Sequence, residues 1–326
     1  MRAAKWRFRY LIIAVLIALG SNATAQEYPT RLIRIIGSSS PGSASDIYAR
    51  IIAAELQASW GKTAIVENRW GATGVIGVDF VRQSRADGYT LLFTSNTPHV
   101  LGPLLMDPRP FDPVADFTPI SKALKYPFYL VTHPSIPART LTEFIAFARS
   151  RPGQLNYASS GQGGGSHLMA EVFNSAAGIR AAHVPYKGAA PAQQAVVSGE
   201  SQYLFNNIGV SQPFVIAGKL RGLAVTGDKR SAVLPEIPTL AEAGIHGLED
   251  AYVWLGMLGP AKLPPAITGK LSAEIIRIMH APDVDRRVLK DGYVPVANTP
   301  AQFASEIQAE VSTWSRVIRE KGIKGE

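Results

Sequence analysis

Gly37-Ser-Ser-Ser-Pro-Gly-Ser-Ala-Ser-Asp46 and Ser159-Ser-Gly-Gln-Gly-Gly-Gly-Ser-His167 are the two stretches whose reading decides how this chain folds. Each follows a short apolar run and opens onto a segment with apolar residues at helical spacing. A strand-to-helix turn of this kind leaves the first N–H groups of the helix unpaired, at the positive end of its dipole. Such an end is a seat for an anion. The two stretches are expected to be opposite jaws of one cleft that closes on a small carboxylate. Neither contains Lys or Arg. The anion would therefore be held by N–H groups, hydroxyls and helix ends, each end supplying roughly half an elementary charge. Gly161, Gly163, Gly164 and Gly165 together weaken regular structure, by about 0.5–1 kcal/mol each relative to Ala, and suit a backbone that must approach a ligand closely. Ser166 is expected to cap the helix that follows. The first stretch also reads as a plain tight turn, with Pro41 and Gly42 as turn residues and Asp46 as N-cap.

Outward from these loops the chain alternates strand-like and helix-like pieces, the mark of an α/β fold. Leu32–Ile36 reads as a strand, and Asp46–Ser59 as a helix with Ile47, Ile51, Ile52 and Leu56 on one face and Gly61 as its C-terminal cap. Ala64–Val66 and Tyr89–Phe93 are strands with a helix at Val75–Ser84 between them. Phe128–Val131, Leu155–Ala158, His183–Pro185, Tyr203–Phe205, Leu220–Val225 and Ala251–Leu258 are further strands. Helices are expected at Ser166–Ala177, Ala189–Val197, 265–280 and 300–320. Thr140-x-x-Glu143, Thr239-x-x-Glu242 and Thr299-Pro300-x-Gln302 are capping boxes.

Residues 1–25 read as a signal peptide. Arg2, Lys5, Arg7 and Arg9 form a basic start, Tyr10–Gly20 an uncharged apolar run, and Ala23-Thr-Ala25 a cleavage site. The formal charge is +8, and four of those positive charges precede any acidic residue, so the mature chain is near +4 (8 minus 4). Its Lys and Arg are scattered, which argues against a nucleic-acid partner. The chain contains no Cys, which excludes disulfides and thiolate metal sites. About 300 mature residues suggest two domains.

Enzyme motifs fail. Gly61-Lys62-Thr63 lacks the earlier glycine of a P-loop, a position held by Leu56, and Gly161-Gln-Gly163 lacks the third glycine of a dinucleotide fingerprint. No G-x-S-x-G elbow is present, and the six His never pair at i,i+3 or i,i+4, so no metal is expected. No cofactor is implied. His167 and His99 read as structural residues, and Trp254 as core or cleft wall.

A set of strings, in order, makes the whole mature chain resemble the Bug-type receptors, the periplasmic solute-binding proteins of tripartite tricarboxylate transporters. They are Tyr28-Pro-Thr-Arg31, Val66-Glu-Asn-Arg69, Asp87-Gly-Tyr-Thr-Leu-Leu92, Asp112-Pro-Val114-x-Asp116-Phe117, Pro152-Gly153-x-Leu155 running to Gly161, His183-Val-Pro-Tyr-Lys-Gly188, Gly218 to Thr226, and Pro235-x-Ile237-Pro-Thr239. The resemblance implies a type II periplasmic-binding-protein fold. Residues 26–125 and 250–326 would form one lobe and 126–249 the other, with crossings near 123–128 and 248–253. It implies ligand contacts from Ser39, Ser43, Ala44 and Asp46 on one jaw and from Ser160, Gly161, Gly163, Gly164 and Ser166 on the other. Thr94, Ser95 and Asn206 would be secondary contacts at strand ends. It further implies a periplasmic monomer that delivers its solute to a membrane permease. Ser39 stands where the family usually carries an aromatic residue, which points to a more polar or bulkier ligand. Gly164 and Gly165 replace the usual Thr or Ser, leaving backbone N–H groups as donors there. A secreted α/β enzyme on an anionic metabolite is the competing reading, with Asp46 and His167 its only acid–base pair. A periplasmic sensor for a signalling partner would use the same closed state.

Overall fold

The computed structural model describes residues 28–321, so the signal-peptide expectation lies outside the described residues. The chain runs β1 (Ile33–Gly37), α1 (Ala44–Trp60), β2 (Ala64–Asn68), α2 (Val75–Arg82) and β3 (Thr90–Ser95). A π-helical turn, Thr97–Leu101, leads into the short α3 (Gly102–Leu105) and the long β4 (Phe117–Thr132). Then follow α4 (Leu141–Arg149), β5 (Leu155–Ser159), α5 (Gly165–Ala177), β6 (Ala181–Pro185), α6 (Ala189–Val197), β7 (Tyr203–Asn207), α7 (Ile208–Ile216) and β8 (Arg221–Val225). The chain closes with β9 (Tyr252–Pro260), α8 (Pro265–Met279), α9 (Pro282–Lys290), β10 (Val294–Pro295) and α10 (Pro300–Lys321).

The strands lie in the order β2-β1-β3-β9-β4-β7-β5-β6, with β8 and β10 also pairing with β4. Two parallel units result, β2-β1-β3 and β7-β5-β6. They are joined through β4, which pairs antiparallel with β9 over Phe117–Pro127, with β7 over Phe128–Thr132 and with β8 over Tyr129–Thr132. The change of partner between Pro127 and Phe128 is where the chain passes from one unit to the other. Parallel strands buried on both faces need continuous apolar runs, which Ile33, Ile35, Ile36, Leu91, Leu92 and Phe93 supply as fully or almost fully buried residues.

Most of the expected elements are present, with ends shifted by a residue or two. Ser43, not Asp46, is the N-cap of α1, its Oγ accepting from Asp46 N–H at 3.3 Å. Gly61 closes that helix with a left-handed φ of 61°, its N–H bonded to Gln57 O. The Thr140–Glu143 box forms fully, and both reciprocal bonds of Thr239–Glu242 and Thr299–Gln302 are made. Ser166 does not cap α5. The N-cap is Gly164, which offers no side chain.

Candidate functional site

The first jaw is built on the C-terminal ends of β1 and β3. Ser38 Oγ lies 2.7 Å from Thr94 Oγ1, both buried, so the two strand ends are tied together beneath the loop. Thr94 is fully buried and spends its hydroxyl here, a structural role rather than a cleft-facing one. Ser39, Ser43 and Ala44 are half-buried on the loop and the first turn of α1, and Ser39 O accepts from Asn68 Nδ2 at 3.1 Å. Asp46, 4% exposed, turns back: its carboxylate accepts from Gly42 N–H at 2.9 Å and pairs with Arg50 at 2.9 Å. Burial opposes its ionisation. Arg50, the Gly42 N–H and Asn68 together outweigh that and hold its carboxyl below the ordinary carboxylate range. Asp46 therefore fixes the loop shape. Asp46→Ala is expected to lower stability by about 1–2 kcal/mol, chiefly through the lost Gly42 bond, since an ion pair to an exposed Arg adds little. A shift in the urea-unfolding midpoint reads this, and an unchanged midpoint would contradict it.

The second jaw satisfies much of its own backbone. Gly161 N–H donates to Ser159 Oγ (3.2 Å), Gly163 N–H to His167 Nδ1 (3.1 Å), Gly164 N–H to Gly161 O (3.1 Å) and Ser160 N–H to Ser166 Oγ (2.9 Å). Ser160 and Ser166 hydroxyls lie 2.9 Å apart. The donors expected at Gly161, Gly163 and Gly164 are thus engaged within the loop. What the loop presents instead is the first turn of α5, at residues 165–167, where no side chain caps the helix. His167 stacks on His183 with ring centroids 4.0 Å apart. Burial lowers the pKa of both, to about 4 for His183, where His167 adds to the effect. His167 accepts from Gly163 through Nδ1 and so acts as a neutral clamp, while Asp46 is committed to Gly42 and Arg50. The Asp46–His167 acid–base pair has no geometry to support it. Asn206 is buried, with Nδ2 on Gln193 Oε1 (2.8 Å) and Oδ1 on Asn207 N–H (2.9 Å), a framework residue of β7.

The jaws meet through residues the sequence did not single out. A Cβ placed on Gly165 would lie 2.8 Å from Thr97 Oγ1 and 3.0 Å from Phe128 Cζ. One on Gly163 would lie 3.1 Å from Leu105 Cδ1, and one on Gly161 3.8 Å from Thr73 Cγ2. Leu168 of α5 packs into a core cluster with Ile36, Val75, Leu92 and Leu101 of the first unit. Thr73 is linked to the first jaw through Gly74, where a Cβ would lie 2.7 Å from Ser38 O. The 159–167 loop is therefore brought against segments 71–74 and 97–105 of the first unit, of which 71–74 adjoins Ser38 at the start of the other glycine loop. On another flank, Asn207 Nδ2 donates to Tyr293 Oη at 2.9 Å.

Beside Asn96 and Leu101 lies a cavity of about 420 Å3, lined by Phe128, Met169, Tyr252, Trp254 and Trp314 together with the charged Lys122, Lys125, Asp250, Glu306 and Glu310. Trp254 is buried and its Nε1–H donates to Glu310 at 2.6 Å, while Asn96 Nδ2 donates to Glu310 at 2.7 Å and to Tyr252 O at 2.9 Å. Burial pushes the Glu310 carboxyl up to about 6 against these donors. His99 is buried and packed among Phe111, Phe117 and Trp254.

Two α/β lobes crossing through β4, with a glycine loop and an uncapped helix end of one lobe set against the other, define a solute-binding receptor of the periplasmic type. The family model described as tripartite tricarboxylate transporter family receptor matches residues 48–323, and the chain belongs to that family. Protein BugT of Bordetella pertussis is 34% identical over 96% of this chain and 97% of its own length. An R. palustris protein solved with adipate superposes with a TM-score of 0.85 at 31% identity, covering 91% of this chain and 99% of the other. MatC from Rhodopseudomonas palustris with bound malate gives 0.81 at 29% identity, covering 89% and 100%. The family comprises periplasmic receptors of tripartite transporters, which bind rather than transform their solutes.

Proposed function

We propose that this receptor is exported by residues 1–25 and works as a monomer in the periplasm. It captures a small dicarboxylate between lobes 26–125 with 250–326 and 126–249, and hands it to the transporter's membrane permease. The observation that supports this reading is the seating of the second glycine loop, which contains no basic side chain, against Thr73, Leu105 and Thr97 of the first lobe, where a Cβ on Gly161, Gly163 or Gly165 would lie 3.8, 3.1 or 2.8 Å from them. The solutes of two structural relatives, adipate and malate, support the class. Ser39, Ser43 and Ala44 would contact the solute from one jaw and Ser160 with residues 165–167 from the other, Ser166 among them, with Ser95 at the cleft floor. Asp46, Gly161, Gly163 and Gly164 would act by shaping those surfaces. Closure is a hinge motion favoured by contacts made only in the closed state. Native mass spectrometry of protein freshly purified from the periplasm tests this. A co-purified small dicarboxylate is expected, and a bound cation or sugar would contradict the reading.

A further inference from the structure

The segment Gly71-Ala-Thr-Gly74 holds four successive residues with positive φ: 134°, 46°, 54° and 97°. Glycine takes such values freely, but alanine and a β-branched threonine do not. A Cβ on Gly71 would sit 2.7 Å from Ile76 Cδ1, and one on Gly74 2.7 Å from both Ser38 O and Pro98 Cβ. A side chain at Gly74 is thus excluded by backbone and a proline ring, while at Gly71 the Ile76 side chain would have to move, and Ala72 and Thr73 span the turn between them. The strained turn places Thr73 across from Gly161 of the opposite lobe, where a Cβ built on Gly161 would lie 3.8 Å from the Thr73 Cγ2 methyl. Backbone strain of this kind persists where the fold over-determines it, and it concentrates at ligand clamps.

We infer that Thr73 is a spacer that sets how far the jaws close, and thereby a specificity-determining residue. Its methyl group stands in the gap over Gly161, so the closed cleft keeps a minimum width and disfavours the shortest solutes. The selectivity part of this rests on the carboxylate-capture reading, and the closure part does not. Thr73→Gly removes the spacer and suits the left-handed backbone. Thr73→Ser keeps the hydroxyl and removes only the methyl.

Because the natural chain has no Cys, the pair Ser40→Cys with Lys187→Cys, exposed positions on opposite lobes that add no side chain to a packed glycine, can gauge closure without any solute through the rate at which an oxidant joins them. Adding Thr73→Gly is expected to raise the rate of disulfide formation at least threefold, with Thr73→Ser showing part of that rise. In the Cys-free protein, calorimetry with malate and adipate should show the malate-to-adipate affinity ratio rising at least fivefold for Thr73→Gly and in the same direction for Thr73→Ser. An unchanged disulfide rate, an unchanged affinity ratio, or a Thr73→Ser variant identical to the natural protein would each overturn the inference. A natural protein that binds neither solute while the disulfide rate still rises would overturn the carboxylate reading and uphold the spacer.

Discussion

Replacing Gly165 by alanine is expected to weaken solute binding roughly 5- to 150-fold, the equivalent of about 1–3 kcal/mol of overpacking, while the protein stays folded. Gly165 is the first residue of α5 and does not carry a positive φ, so its backbone accepts any side chain. On helix propensity alone, alanine would favour the helix by up to about 1 kcal/mol. The obstacle comes from elsewhere. The new methyl would lie 2.8 Å from Thr97 Oγ1 and 3.0 Å from the Phe128 ring. Thr97 belongs to the opposite jaw, so its part of the clash exists only when the jaws meet, whereas Phe128 lies on the same lobe as Gly165 and must give way in either state. Stability of the solute-free protein should change little, the helix gain offsetting the push on Phe128, while affinity falls, a combination that misfolding cannot produce. Thr97→Ala removes the clashing hydroxyl and, added to Gly165→Ala, is expected to recover much of the affinity. Calorimetric titration beside a thermal melt reads both quantities. Undiminished affinity in Gly165→Ala would mean that the jaws do not meet at this point.

A second large effect is a loss of stability on acidification. His99 is completely buried; its Nε2–H donates to Pro113 O at 2.9 Å and its Nδ1 faces no partner. A proton on Nδ1 would place a charge among aromatic rings, so burial lowers the pKa from 6.5 to about 4. Between those values the unfolded chain binds more protons than the folded one. Stability therefore rises with pH across that window and is lost as pH falls through it, by about 3 kcal/mol for His99. His183 acts in the same direction from a less buried position. Glu310 acts in the opposite one. Its carboxyl protonates near 6 in the folded protein against 4.5 ordinarily, so acidification through that range favours the folded state by about 2 kcal/mol. The histidines outweigh it. Urea midpoints measured from pH 7 to pH 4 should fall steadily. The fall should be shallower in His99→Gln, whose amide can still donate to Pro113 O, and equal slopes in the two proteins would contradict the assignment.

The fold was legible wherever local chemistry decides it. Apolar spacing at Ile47, Ile51, Ile52 and Leu56, the left-handed glycine after α1 and the three threonine boxes each act within a few residues. β4 was read only from Phe128 because Pro119 and Pro127 interrupt its pattern. The strand absorbs the first at an irregularity in its pairing with β9 and the second where it changes partners. α7 was missed because Gly209 and Pro213 disfavour a helix. The two loops that form the site were legible as glycine-rich turns, but their hydrogen bonding was not. Which amides are spent depends on Ser159, Ser166 and His167 folding back onto the loop, which spacing does not specify. Thr73, Thr97 and Leu105 carry no signal of their own. They matter because tertiary packing sets them opposite glycines, and the Gly71–Gly74 turn looks like any other until its four successive positive φ values are seen.

The jaws close on negative charge, and one comparison tests that most directly. Isothermal titration of the natural protein with adipate and with adipamide, its uncharged diamide of similar shape, separates charge from fit. Capture at helix ends requires one-to-one binding of adipate or of the shorter malate, with the diamide at least tenfold weaker. Equal binding of acid and diamide, or no binding of either dicarboxylate, would contradict it.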